Sequence, residues 1–305
     1  MPKHSKATES HRIALDLLHG GRKVPEGLLR RHMAGVTRRL EAGLMEKGAL
    51  ERQVAKYRSK LHEPVATVAG RGSDAARAVA GLRPIERLAK HKLVTPVRPR
   101  DIGGILAGSY SVKVVPPYDF AFQDTSVGFG NPDVSATGDK NSGQMSCYIV
   151  SDTQAPSGAT ASSVLGVFFI PRFPLATLRV SVDPALAFFW WVNATPTPDC
   201  HFAWSRARLC VAIEGFLDGQ NNHDKTLWDD PVRFCGQNDF DFGSIPDEPL
   251  STQLKVDSSH FYVVSLMCWC QVMGDVWPGS RGVASLAVTL PSFTLDVQAI
   301  PILEQ

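Results

Sequence analysis

Four apolar runs follow one another in the middle of the chain, at residues 144–150, 164–170, 178–182 and 186–192, parted by Pro, Gly, Ser and Asp. Each is short, rich in β-branched and aromatic residues, and bounded by turn formers, a pattern that predicts strands rather than helices. The pattern continues in both directions. It predicts strands at 109–115, 118–123, 144–150, 161–170, 177–182, 185–193, 206–217, 252–256, 260–272, 284–290 and 294–298. So many short strands without helical periodicity between them predict an antiparallel β-sandwich or jelly roll. Longer connections at 124–143, 196–204 and 218–250 read as loops; connections beyond about 12–15 residues are usually functional or mobile. The run Phe188-Phe189-Trp190-Trp191 is too dense for a wet face along its whole length. It is either a core strand or an edge that presents aromatic surface to a partner.

Upstream the period changes. Leu29, Met33, Val36, Leu40, Gly43, Lys47, Leu50, Val54, Tyr57 and Leu61 step alternately by four and three, and eight of the ten are apolar. That spacing predicts an amphipathic heptad helix over 25–63, stopped by Pro64. Leu29, Met33, Val36, Leu40, Leu50, Val54, Tyr57 and Leu61 form the expected oligomerisation seam of a coiled coil. Gly43 and Lys47 are faults in it, and the alternative is a helix folded back on its own β domain. Residues 1–24 read as a basic flexible arm, 64–108 as a second short helix with a Pro-rich linker, and 109–305 as the β domain. The expected class is therefore α+β with its parts segregated, a helical segment ahead of a sandwich.

Composition adds a core and a charge split. The 305 residues are 44% hydrophobic and 20% charged, which describes a folded protein with a sizeable interior. The net charge of +2 hides two unlike halves. Residues 1–100 hold 22 Lys and Arg against 9 Asp and Glu, a net of +13; residues 101–305 hold 10 against 21, a net of −11. Such halves attract each other, or the basic one meets an anionic partner. Arg30, Arg31, Arg38, Arg39, Lys56, Arg58 and Lys60 are the candidate nucleic-acid contacts, since phosphates need only cations at reachable spacing. A basic arm ahead of a jelly roll is also the general plan of many small-virus coat proteins, although here the arm is interleaved with Glu. No apolar stretch is long enough for a signal sequence or a transmembrane segment. A cytoplasmic protein, or one released without a classical signal, is expected, and a virion location under the coat-protein reading.

Candidate chemistry is sparse. Asp218, Gln220, Asn222 and Asp224 alternate, with Asp229 eleven residues after the first, in the manner of a Ca²⁺ loop. His223 stands where the loop needs Gly, and Asp where a bidentate Glu is usual, so a solvated hairpin loop is expected and no metal or cofactor. There is no GxSxG, HExxH, Walker A or dinucleotide fingerprint, so an enzyme is not expected. All six Cys fall after residue 101 without a CxxC pair, and Cys268 and Cys270 share one side of a strand with Val264 and Leu266. Buried free thiols follow from that placement. All six Trp lie in the β half. Trp204 and Trp228 fall at expected loop or strand-start positions, where an aromatic face suits a glycan or a protein ligand.

The segments Asn141-Ser-Gly-Gln-Met-Ser146, Ser163-Val-Leu-Gly-Val-Phe-Phe169 and Val256-Asp-Ser-Ser-His-Phe-Tyr262 resemble those of a set of bacterial proteins. These proteins have a helical N-terminal segment and a Trp-rich C-terminal β domain. The resemblance spans roughly residues 116–295, implies the two-part layout, and carries over no catalytic or binding residue. The expected function is that of a non-enzymatic structural or binding protein, a homo-oligomer that displays its sandwich from the N-terminal helix. A viral coat (capsid) protein is the alternative, and a membrane-active toxin or an enzyme the third.

Overall fold

Two proline-marked bends organise the sandwich, because each carries a strand out of one sheet and into the next. A computed structural model describes residues 18–20, 22–25, 27–43, 108–152, 156–194, 202–215, 220–229, 233–234, 238–243, 249–274 and 280–300, with side chains omitted at 36–43, 202, 220, 233–234 and 238. Helix α1 spans Leu28–Gly43. The strands are β1 (Ser109–Val114), β2 (Phe120–Phe129), β3 (Asp133–Asp139), β4 (Gln144–Val150), β5 (Ser157–Phe169), β6 (Ala176–Val182), β7 (Ala185–Asn193) and β8 (Phe202–Gly215). They continue with β9 (Gln220–Asp229), β10 (Arg233–Phe234), β11 (Asn238–Gly243), β12 (Leu250–Val256), β13 (Tyr262–Gly274), β14 (Arg281–Thr289) and β15 (Phe293–Ala299).

All strand pairings among the described residues are antiparallel, so the chain is mostly an antiparallel β-sandwich. One layer is the six-stranded sheet β10-β8-β13-β5-β2, with β9 also on β8. The other consists of a five-stranded sheet, β11-β7-β14-β4-β3, and a four-stranded one, β1-β15-β6-β12. At Asp183-Pro184 the chain passes from β6 to β7, and at Leu290-Pro291-Ser292 from β14 to β15. Proline cannot donate to a ladder, so each bend ends one sheet's pairing and lets the strand start again at a new angle. Gly143 has a positive φ of 74° in the β3–β4 turn. Its carbonyl accepts the Leu290 N–H at 2.8 Å, and a side chain here would meet the Leu290 carbonyl oxygen.

Alternation fills the interior. From β13, Tyr262, Val264, Leu266, Cys268, Cys270 and Val272 face one core together with Leu165 and Val167 of β5, Leu209 and Ile213 of β8, and Ile149 and Leu286 from the opposing layer. Fully burying such a side chain stabilises by about 1.5–3 kcal/mol, which is the main force closing the layers. Cys147, Cys210, Cys268 and Cys270 are buried, with the Cys147 and Cys268 sulfurs 3.6 Å apart across the two layers.

Strand β5 is buried on both faces along its whole length. The reason lies in the N-terminal part. Leu28 and Met33 of α1 are buried against Phe120, Phe168, Val263 and Trp269 on the outer face of the six-stranded sheet, with Leu29 packed beside them. Leu29 and Met33, the seam residues with described side chains, thus pack on the chain's own sandwich, as in the alternative of a helix folded back, because that face offers an aromatic surface that water would otherwise wet. Val36 and Leu40 lie in α1 with side chains outside the description, as do those of Arg38 and Arg39. Leu50, Val54, Tyr57 and Leu61, and Lys56, Arg58 and Lys60, lie outside the described residues. Contacts group residues 1–44 with 102–305 as one unit, and 45–101 as a second.

The expected long loops also change. Residues 124–143 hold most of β2 and all of β3, and residues 218–250 hold β9, β10 and β11. Alternating polar residues at 220–229 thus mark a strand paired with β8, not the solvated hairpin loop expected. A spacing of two is the side-chain period of a strand. Among the described residues no cluster of His, Cys, Asp and Glu could hold a metal, and no helix is long and apolar enough to cross a membrane.

Candidate functional site

Trp204 and Trp228 are 4% and 7% exposed, which corrects their reading as surface anchors. Both sit inside strands. Trp228 stacks on Phe188 at 5.6 Å between ring centroids and donates its Nε1–H to Ser205 Oγ at 3.0 Å. Trp204 lies beneath the Arg206 guanidinium at 4.8 Å, and Arg206 Nε donates to Asp229 Oδ1. An indole finds such cover within a paired strand rather than at a loop start.

The exposed aromatic surface is elsewhere, on the outer face of the five-stranded sheet. Register sets Tyr148 of β4, Ser285 of β14, Phe189 of β7 and Phe242 of β11 in one row across the strands. The next row is Val150, Val283, Trp191 and Phe240. Phe242 is 66% exposed, Phe240 44% and Tyr148 39%. Phe189 is buried and Trp191 half-buried, so the dense run belongs to both worlds: Trp190 and Val192 to the core, Trp191 to the outer face. Asp133 and Arg281 flank Tyr148. Burial raises the Tyr148 hydroxyl, Asp133 raises it further, and Arg281 opposes both. Phe240 and Phe242 went unnoticed in the sequence because 238–243 alternates Asp with Phe inside what looked like an acidic loop; that period of two was the available signal.

Strand β11 is a sheet edge, yet its backbone is guarded. Asp239 Oδ1 accepts the Phe240 N–H at 2.9 Å and Asp241 Oδ1 accepts the Phe242 N–H at 2.8 Å. Carboxylates on edge N–H groups obstruct the addition of another strand.

On the opposite side of the sandwich, polar contacts fasten the N-terminal segment. His19 Nε2–H donates to Asp119 Oδ2 at 3.0 Å, and the same oxygen accepts the Phe168 N–H at 2.7 Å. His32 Nδ1–H donates to Glu214 Oε2 at 2.7 Å, and Arg22 donates to the Ser258 carbonyl at 3.1 Å. Arg30 and Arg31 are exposed on α1. Further along that face the amide of Gln271, Thr160 Oγ1, Trp269 Nε1 and Arg208 Nε are buried without a hydrogen-bond partner.

One constellation invites a catalytic reading and does not fit it. Asp257 accepts hydrogen bonds from the Ser259 N–H, the Ser259 hydroxyl, His260 Nδ1 and the Tyr262 hydroxyl. The Ser259 hydroxyl also lies against Nδ1, at 3.0 Å, whereas a nucleophile must face the nitrogen opposite the carboxylate. The cluster orders the turn into β13. Burial alone would raise the Asp257 carboxyl, but bonds from Ser259 and His260 outweigh it and hold it at about 2. A depressed carboxyl stabilises above its unfolded value and loses that contribution as pH falls through the folded one. The expected result is that the stability advantage of the wild type over Asp257→Asn shrinks between about pH 4 and about pH 2, read from urea midpoints at each pH.

No protein-family model matches the sequence, and no curated protein matches it. Among solved structures, TmCBM61 in complex with β-1,4-galactotriose is similar over 56% of this chain and 86% of its own, at 9% identity and a TM-score of 0.20. The infectious bursal disease virus Gx strain structure is similar over 63% of this chain and 35% of its own, at 9% identity and a TM-score of 0.18. A family 11 carbohydrate-binding module from Clostridium thermocellum covers 62% of this chain and 92% of its own, at 12% identity and a TM-score of 0.14.

Proposed function

We propose that the protein is a non-enzymatic structural or binding protein whose sandwich works through the outer face of its five-stranded sheet. The observation that carries this is the exposure of Phe240 and Phe242 beside Trp191 on a strand whose edge is capped. Exposed aromatics next to Arg and Tyr are the composition concentrated at protein contacts, and water gains when they are covered. Trp204 and Trp228, being buried, contribute nothing to this surface.

A coat protein is the second reading, supported by the charge split of +13 over residues 1–100 against −11 over the rest. A basic segment beside an acidic domain can neutralise phosphates while the domain itself stays off the nucleic acid. The test is light scattering on a sizing column, with absorbance at 260 and 280 nm, on full-length protein purified without nuclease. A large particle that carries nucleic acid, and loses it when residues 1–100 are removed, selects the coat protein. A small assembly with a protein-like absorbance ratio selects the binding protein. Turnover of a substrate by the pure chain would overturn both.

A further inference from the structure

We propose that Cys147 and Cys268 form an oxidative cross-linking site, at which a hydroperoxide joins the two layers of the sandwich by a disulfide and locks them together. The site is independent of the outer sheet face. Cys147 lies on β4 of the five-stranded sheet and Cys268 on β13 of the six-stranded sheet, and both are buried in the shared core. Their sulfurs are 3.6 Å apart, although the residues are 121 positions apart in sequence. The Cys147 sulfur is also 3.6 Å from the Cys268 carbonyl oxygen, so this side chain reaches the backbone of the opposite layer. Packed sheets stand about 10 Å apart, a gap that larger side chains ordinarily fill. Here two cysteines meet across it. One register neighbour of each is small, Ala136 of β3 beside Cys147 and Ser163 of β5 beside Cys268.

The framework around the pair is fixed. β4 lies between β14 and β3, and β13 between β5 and β8, so ladders on both sides hold each cysteine in place. To bond, the sulfurs close from 3.6 Å to about 2.0 Å, a movement of two unbranched side chains that turn on one torsion each. Cys270 faces the same core two residues along β13 and is the competing partner for Cys147; the sulfur contact at 3.6 Å selects Cys268. The reaction balances with one hydroperoxide. One thiol gives its proton to water, and the thiolate attacks a peroxide oxygen. The O–O bond breaks, and the departing hydroxide takes up a proton to become water. The second sulfur then attacks the sulfenic acid; an S–S bond forms, the S–O bond breaks, and the hydroxyl leaves as water with the second thiol's proton. Burial at Cys147, and the neighbouring sulfur together with burial at Cys268, hold both thiols protonated, so the first step is slow and answers sustained exposure.

The test exposes the folded full-length chain to hydrogen peroxide, blocks the remaining thiols under denaturing conditions, and maps unreduced peptides by mass spectrometry. The expected product is a peptide pair joined through Cys147 and Cys268, separated again by a phosphine reductant. The oxidised protein is expected to unfold at a urea midpoint higher by about 1 M or more, since the link closes a long loop of chain. Cys147→Ala and Cys268→Ala, each compared with its own reduced form, are expected to show no such rise. A chain unfolded in urea before oxidation is expected to scatter its links among the six cysteines. The proposal is overturned if Cys147 and Cys268 of the folded chain remain thiols after prolonged exposure, or pass to sulfinic acid without a link. A link from Cys147 to Cys270 instead overturns it too, as does the same scatter in folded and unfolded chains. A fully linked protein with an unmoved midpoint would show that the bond does not lock the layers.

Discussion

Replacing Gly166 with alanine is expected to cost about 3 kcal/mol, at the upper end for overpacking of a tight interior. The added methyl carbon would lie 2.4 Å from Phe120 Cζ and 2.5 Å from the Val264 carbonyl oxygen. Neither neighbour can give way cheaply. Val264 belongs to β13, which pairs with both β5 and β8, so moving its carbonyl disturbs two ladders. The Phe120 ring is held by Phe168 at 5.3 Å and by His32 at 6.0 Å between centroids. Urea unfolding followed by Trp fluorescence measures the loss. Because Phe120 is also the floor under α1, limited proteolysis should release the N-terminal segment of the variant before the sandwich is cut. An unchanged midpoint would mean that the strands yield where the pairing says they cannot.

The second large effect belongs to the buried His32. Its side chain is 1% exposed, its Nδ1 bonds Glu214, and its Nε2 has no partner. Glu214→Ala should therefore destabilise the attachment of α1 by about 2 kcal/mol, because it leaves a second buried ring nitrogen unpaired. His32→Leu should cost less, since an apolar side chain of similar volume removes the unpaired nitrogen together with the bond. The pair should be strongly non-additive: once His32 is Leu, Glu214→Ala should add little. Unfolding midpoints of the four proteins close the cycle. Equal effects in both backgrounds would show that the 2.7 Å contact contributes nothing.

Strands were the legible part of this sequence. The reading of 144–150 and 185–193 matches β4 and β7 residue for residue, since each alternates or runs apolar between turn formers. β3, β9 and β11 were missed because polar and small residues such as Asp, Asn, Gln and Gly interrupt them, and their weak strand preference is overridden by pairing with β4, β8 and β7. The same three strands explain why the candidate surface was placed wrongly. With β9 and β11 read as loop, Trp228 looked exposed and Phe242 looked incidental; pairing reverses both. The heptad spacing at Leu29 and Met33 showed correctly that this segment has an apolar face. Periodicity identifies such a face but not what covers it, and the aromatic cluster of Phe120, Phe168 and Trp269 is assembled from strands distant in sequence.

The sulfurs in the core give the chain a chemical clock. Cys147 lies in one layer and Cys268 in the other, and both thiols are held protonated: burial raises Cys147, and the neighbouring Cys147 sulfur together with burial raises Cys268. A thiol in that state does not react with an alkylating reagent until solvent reaches it. Each label on either residue would thus record a separation of the two layers. The rate of labelling in native buffer would count openings that leave no trace in an equilibrium spectrum.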